Sequence, residues 1–251
     1  MYHHIVGSEE TVKTRRMFNT MRDNLSDDKI FTRISIGISG EGLEVKGSDI
    51  DIMFVLKDVN VYEDINSTHI NSSETCVAME MDDTKLGFSH LRLLRCNNNT
   101  LFKMHKQNEN DLYLSSQLCK SMFIRQFRGS DVVHGPCLSN KDGVANLALT
   151  LHSRKWISFA KQWITRSNCS WPSSEVKSQI IDHGFLFVPI GSKGSQNEDI
   201  EFRILFSVGE KLLIYSFTHT QLPCYALMKI LIKDIVNRDS RCKDSIRSFY
   251  I

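Results

Sequence analysis

Nowhere in the 251-residue chain is there a run near the ~20 consecutive apolar residues of a membrane helix. The opening Met1-Tyr2-His3-His4 lacks the apolar stretch of a secretory leader. A protein off the membrane, in the cytoplasm, is the expectation. Charge of one sign is not in excess either. Thirty-one Lys and Arg face 29 Asp and Glu, so the net +2 gives no overall field to attract a polyanion. The seven cysteines (76, 96, 119, 137, 169, 224 and 242) are odd in number and never within four residues of one another, which excludes a CxxC zinc pair and a disulfide framework. They read as reduced, mostly buried thiols, and the five Asn-x-Ser/Thr sequons, such as those at Asn66 and Asn71, read as incidental. Proline is missing from the first 135 residues; all four (136, 172, 189 and 223) punctuate the second half. No internal repeat or low-complexity tract is present.

What is there is ordinary globular material, 41% apolar and 24% charged. It is enough for one large domain or two docked lobes. Charge is segregated locally: seven acids and no Lys or Arg from Asp58 to Asp83, then five basic residues and no acid from Lys85 to Lys106. Two solvated faces are the simpler reading of that pattern. Periodicity predicts a helix over 8–24, capped by Ser8, with Val12, Met17, Phe18 and Met21 as its apolar stripe and Lys13, Arg15, Arg16 and Arg22 largely off it. Strands are expected over 31–38, 50–56, 76–81, 89–95 and 145–152, and helices over 112–127, 158–166, 174–183, 204–217 and 223–236. Sheet first and helices afterwards predicts an α+β protein with a mixed sheet lobe and a helical lobe.

The most informative segment runs from Ser35 to Met53. A strand enters a loop holding four of the thirteen glycines, and a second strand begins Asp49-Ile50-Asp51-Ile52. Residues two apart on a strand share a face, so the two carboxylates project in parallel. Side by side and ionised they repel, unless a cation lies between them. Hard oxygen donors suit Mg²⁺ or Mn²⁺, with substrate phosphate completing the coordination. The glycine loop could bring backbone N–H groups to phosphate oxygens. A bare Asp-x-Asp more often marks a strand edge; with the glycine loop and flanking strands in this order, the layout is that of metal-assisted nucleotidyl transfer.

The stretch Gly37 to Phe54 resembles the signature of nucleotidyltransferases related to cyclic GMP-AMP synthase, the Mab-twenty-one (male abnormal) group and the animal cGAS-like receptors. Supporting matches are His134-Gly135-Pro136-Cys137, Trp163 with Trp171-Pro172, Glu201-Phe202-Arg203-Ile204-Leu205-Phe206-Ser207, and Cys224-Tyr225-Ala226-Leu227-Met228-Lys229. The resemblance implies a bilobal nucleotidyltransferase fold: a sheet lobe with an N-terminal spine helix over 1–155 and a helical lobe over 156–251. It implies ATP or GTP as ligands, Mg²⁺ or Mn²⁺ as cofactor, and a place among cyclic-dinucleotide synthases of innate immune nucleic-acid sensing. The chain stops at Ile251, where that family continues, so a short paralogue or an incomplete gene product is expected.

Residue by residue, Asp49 and Asp51 match the first two metal-binding, catalytic acids. Gly37 matches a phosphate-contacting glycine, Arg203 and Ser207 match nucleotide-binding positions, and Lys229 matches a lysine on the donor's phosphates. Ser248-Phe249 falls where the family has Ser-Tyr, whose ring stacks on a base. Three departures stand out. Ile38 replaces a phosphate-directed serine, for which Ser39 could compensate; Leu205 replaces another serine; and Asn146 occupies the position of the third acid. An amide offers one carbonyl oxygen to a metal but carries no charge and takes no proton from an attacking hydroxyl. No acid lies between Asp142 and Glu175 to replace it. Two readings therefore stay open: a nucleotidyltransferase with an eroded site, and a catalytically inactive binding or regulatory module.

Smaller signals point less far. Gly191-Ser192-Lys193-Gly194-Ser195 lacks Walker spacing and reads as a surface turn. His134 and Cys137 lack two further ligands for a closed zinc site. The basic residues of the first helix correspond to a surface that in sensing relatives helps bind double-stranded nucleic acid; on one helix they more often mark a solvated face. Trp156, Trp163 and Trp171 are expected to fill the junction between lobes, and His152 to share a strand face with Asn146.

Overall fold

The strand that starts at Ile50 does not stop with its apolar segment at Leu56 but runs on to Tyr62. That length explains the fold, because one strand of thirteen residues can serve three neighbours. A computed structural model describes residues 6–45, 48–63, 74–108, 110–127, 132–139, 144–165 and 171–238. Its helices are α1 (Glu9–Leu25), α2 (Gly37–Gly40), α3 (Asn99–Phe102), α4 (Ser116–Gln126), α5 (Lys161–Thr165), α6 (Ser174–His183), α7 (Ser207–Tyr215) and α8 (Gln221–Arg238). The strands are β1 (Phe31–Ile36), β2 (Ile50–Tyr62), β3 (Thr75–Glu80), β4 (Phe88–Arg95), β5 (His105–Asn108), β6 (Asp111–Leu114), β7 (Val132–His134), β8 (Cys137–Ser139), β9 (Ala145–Ser153), β10 (Phe185–Val188) and β11 (Glu201–Leu205).

Six strands close into a ring: β2 pairs β3, then β4, β11, β10 and β9 follow, and β9 returns to β2. The β2–β3 and β2–β9 pairs are parallel and the others antiparallel, so this is a mixed barrel. Strands β1, β5, β6, β7 and β8 extend it at the sides. The expected α+β bilobal nucleotidyltransferase fold, a mixed sheet lobe followed by a helical lobe, is corrected by this closed mixed barrel. The residues that overturn it are Phe185–Val188 and Glu201–Leu205, which pair with each other and bridge β9 to β4. The segment 204–217, expected to be one helix, completes β11 before α7 begins at Ser207. Likewise, the start of the expected helix 112–127 is strand β6, and α4 begins only after Ser115, whose Oγ accepts from the Leu118 N–H.

Closure buries both faces of the central strands. Phe54 of β2 and Phe185 and Phe187 of β10 belong to one apolar cluster, while Met53, Val55, Leu186 and Val188 belong to another. Two buried faces call for continuous apolar runs rather than alternation. Asp51, Met53 and Val55 share one side of β2, and the acids stand where that side emerges from the core.

Helix α1 docks with the polarity opposite to expectation. Ser8 caps it as predicted and Val12 is buried, but Met17, Phe18 and Met21 are 61%, 63% and 55% exposed. Its arginines turn inward instead. Arg16 donates to the carbonyls of Glu41, Ile214 and Tyr215 and lies over the Tyr215 ring; Arg15 reaches the Val6 carbonyl and Glu44; Arg22 reaches Ser35 Oγ. Long guanidinium side chains satisfy helix-end carbonyls that an apolar stripe would leave unpaired. Lys13 pairs with Glu9.

Candidate functional site

Two strand ends and two helices meet around the first acids. In the parallel β2–β9 ladder Asp51 lies directly opposite Asn146, and on its other side it faces Ile36 of β1. The Asn146 amide nitrogen sits 3.0 Å from Asp51 Oδ1 and 3.3 Å from Asp49 Oδ2. Ser139 Oγ lies 2.6 Å from the amide oxygen on the far side. Ionised carboxylates only accept hydrogen bonds, so the NH₂ end of Asn146 must be the end that faces them. The amide spans the two carboxylates and softens their mutual repulsion.

Gly37 makes the close approach possible. Its φ is +66°, and a Cβ built on it would stand 2.5 Å from Asp51 Oδ2. Only glycine fits, on both counts. The loop enters α2 at this point, and the turn brings Glu41 beside the same space. Burial pushes the Asp51 carboxyl above the ordinary carboxylate range and the Asp49 charge adds to this, while the Asn146 hydrogen bond and Lys229 act in the opposite direction.

These residues line a cavity of about 810 Å³ that also takes in Arg203 and Ser207 from the β11–α7 junction and Lys229 from α8. The size suits a small organic ligand. Gly37, Asp49, Asp51, Asn146, Arg203, Ser207 and Lys229, each singled out in the sequence, are thus brought to one place. Ser39 is not: it does not line the cavity, and its backbone carbonyl accepts from Asn19. Ser248 and Phe249 lie outside the described residues, as does Asp142. His152 shares the strand parity of Asn146 but lies beyond a register shift, opposite Asn60, and lines a separate small cavity.

Three lining residues, Glu41, Glu210 and Tyr225, had no role assigned from sequence, and a fourth, Trp171, was expected only to fill a junction between lobes. Glu41 is 4% exposed and accepts from Tyr225 Oη at 2.8 Å and Lys229 Nζ at 3.2 Å. Glu210 stands one turn into α7, its carboxyl pushed up by desolvation, with Lys229 pulling down and Glu41 pushing further up. Trp171 and Tyr225 complete the wall. Helical spacing held a hint, since Glu210 follows Ser207 by three and Lys229 follows Tyr225 by four, so each pair shares a helix face. Desolvation holds the Arg203 guanidinium below its usual range.

Among the described residues no three His, Cys, Asp or Glu side chains come together as a metal-holding group. The donor set is therefore two carboxylates, Asp49 and Asp51. Two carboxylates fit a Mg²⁺ that arrives with phosphate, since that ion keeps waters and takes the rest of its shell from substrate oxygens. For a metal to enter, the Asn146 NH₂ must leave the gap or turn its carbonyl inward. Also among the described residues, no helix is long and apolar enough to cross a membrane. No protein-family model and no curated protein sequence matches the chain.

Proposed function

We propose that the cavity binds a nucleoside triphosphate, ATP or GTP. Its phosphates would lie between Lys229, Arg203 and the first turn of α7 at Ser207, and Mg²⁺ or Mn²⁺ would lie on Asp49 and Asp51. One observation carries the reading: two cationic side chains, two adjacent carboxylates and a glycine that admits close approach line one cavity of nucleotide scale. The start of α7, whose N-cap residue Phe206 contributes no side-chain hydrogen bond, adds unsatisfied N–H groups that favour an anion. The metal would neutralise phosphate charge and align the α-phosphorus for attack. The chain itself positions the phosphates and excludes water.

The same reading makes transfer weak. At the third position Asn146 donates rather than accepts, so no group there takes the proton from an attacking ribose hydroxyl. On this reading the resemblance to the cyclic GMP-AMP synthase-like enzymes is one of site motifs and not of fold, and the site is a nucleotide-binding one with its third acid eroded. The amide bridge also favours a second reading, a binding or regulatory module without turnover. The proposal includes a cytoplasmic setting, where nucleotides are supplied and thiols such as buried Cys76 and Cys119 stay reduced. It includes no nucleic-acid surface on α1, whose arginines are engaged internally.

Calorimetric titration with ATP and GTP, with and without Mn²⁺, tests the binding. Metal-dependent binding that disappears in Asp49→Asn is expected; binding indifferent to both metal and Asp49 overturns the site. Pyrophosphate release then separates the two readings. Turnover that appears or rises in Asn146→Asp identifies an eroded transferase, and intact binding with no turnover in that variant identifies the inert module.

A further inference from the structure

The cavity has two chemically different ends, and the second is unexplained by phosphate or metal. Trp171 lines it while remaining 42% exposed, an unusual placement for a large aromatic side chain. The indole is held rather than loose. Its Nε1–H donates to Ser216 Oγ at 3.0 Å, and its ring packs 5.4 Å from Phe217, tilted by 36°. Phe217 in turn meets Tyr225 edge-on at 5.8 Å, and Tyr225 carries the hydroxyl that binds Glu41. The aromatic run therefore leads outward from the charged end, and Ser216 lies one helix length, ~13 Å, beyond Ser207 along α7. A ligand that reaches both ends is elongated, anionic at one end and flat at the other.

We propose that Trp171 is the base-stacking platform of this cavity and that it favours purines over pyrimidines by ring area. The proposal rests on the nucleotide reading above and adds its selectivity. One indole face is backed by Phe217 and the exposed remainder offers a π surface, which attracts any base regardless of its edge. The Trp171 N–H, the group that could read a base edge, is already committed to Ser216, and Ser216 Oγ itself donates to the Leu213 carbonyl. Stacking without edge recognition binds ATP and GTP alike and CTP or UTP less well, because a bicyclic ring covers more of the indole.

Dissociation constants for ATP, CTP and inorganic triphosphate, each with Mg²⁺, in the wild type, Trp171→Ala and Trp171→Phe test this. Trp171→Ala is expected to weaken ATP by ~10-fold, CTP by less and triphosphate not at all, with Trp171→Phe recovering most of the loss. Equal weakening of ATP and triphosphate would mean that Trp171 only supports the cavity wall, and overturns the proposal. ATP binding that is unchanged in Trp171→Ala, or no tighter than triphosphate in the wild type, overturns it while leaving the nucleotide reading intact. A wild type that binds neither ATP nor triphosphate removes that reading and the proposal with it.

Discussion

Two sets of carboxylates face the same cavity and are answered in opposite ways. Glu41, 4% exposed, is met by the Lys229 ammonium and the Tyr225 hydroxyl. Its charge is balanced within the protein, and a ligand that engages Lys229 must compete with it. Asp49 and Asp51 are met by one neutral amide. Their charge is spread but not cancelled, and burial resists the ionised form of Asp51. On the proposed reading the first arrangement holds the fold and the second would admit a cation, which gains from entering only where negative charge is left unmatched. Only seven residues of chain lie between Glu41 and Asp49.

The most direct way to break the comparison is Lys229→Met, which keeps the length of the side chain and removes its charge. With the Glu41 side chain 5% and the Lys229 side chain 23% exposed, a nearly buried carboxylate loses its counter-ion. Removing one partner of such a pair lowers stability by about 3 kcal/mol. The urea midpoint at pH 7 reads this, and a loss below about 1 kcal/mol would mean that Tyr225 alone satisfies Glu41. Gly37→Ala is expected to come next. A left-handed backbone and a 2.5 Å clash with Asp51 Oδ2 together lower stability by about 2 kcal/mol, and they push Asp51 away from Asn146. An Ala variant as stable as the wild type would show that the loop can retreat and that the close approach is not required.

How much of this was legible in the chain follows from how far each feature reaches. The pairing of Asp49 and Asp51 is local: Asp49 stands one residue before β2, and both carboxylates reach the Asn146 amide. Asn146 lies 95 positions from Asp51, yet it was picked out through the motif resemblance, and the ladder sets the two side by side. Barrel closure was not legible. Phe185-Leu186-Phe187-Val188 is four apolar residues without alternation, too short to declare a strand, and it is apolar throughout because both its faces are buried. Hydrophobic period turns the wrong face of α1 inward, because it assumes that apolar residues go inside. Here backbone carbonyls at the ends of α2 and α7 recruit Arg16, and Met17 and Phe18 are left outside. Glu41 was quoted as part of a motif but given no role, since its partners sit 184 and 188 positions away.

The far end of the β2–β9 seam supplies a third case, a half-buried imidazole with one nitrogen unpaired among the described residues, and the smallest expected effect. There His152 Nε2 lies 2.5 Å from the His183 carbonyl, so that nitrogen carries the proton, and the two rings stack at 4.9 Å. His183 Nε2 is buried with no hydrogen-bond partner among the described residues. The surrounding cavity of about 230 Å³ includes Lys57, Asn60 and Arg154 and no carboxylate. Burial first, and then the neighbouring His152, push His183 down to about 4, and burial lowers His152 as well. Between pH 6.5 and 4 the unfolded chain therefore takes up protons that the folded one refuses, so stability falls as pH falls through that window. His183→Phe keeps a ring against His152 and removes the titration. At pH 7 it should stay within about 1.5 kcal/mol of the wild type, and its urea midpoint should decline less on acidification from pH 6.5 to 4. Parallel decline in the two proteins would mean that the acid limb belongs to other groups.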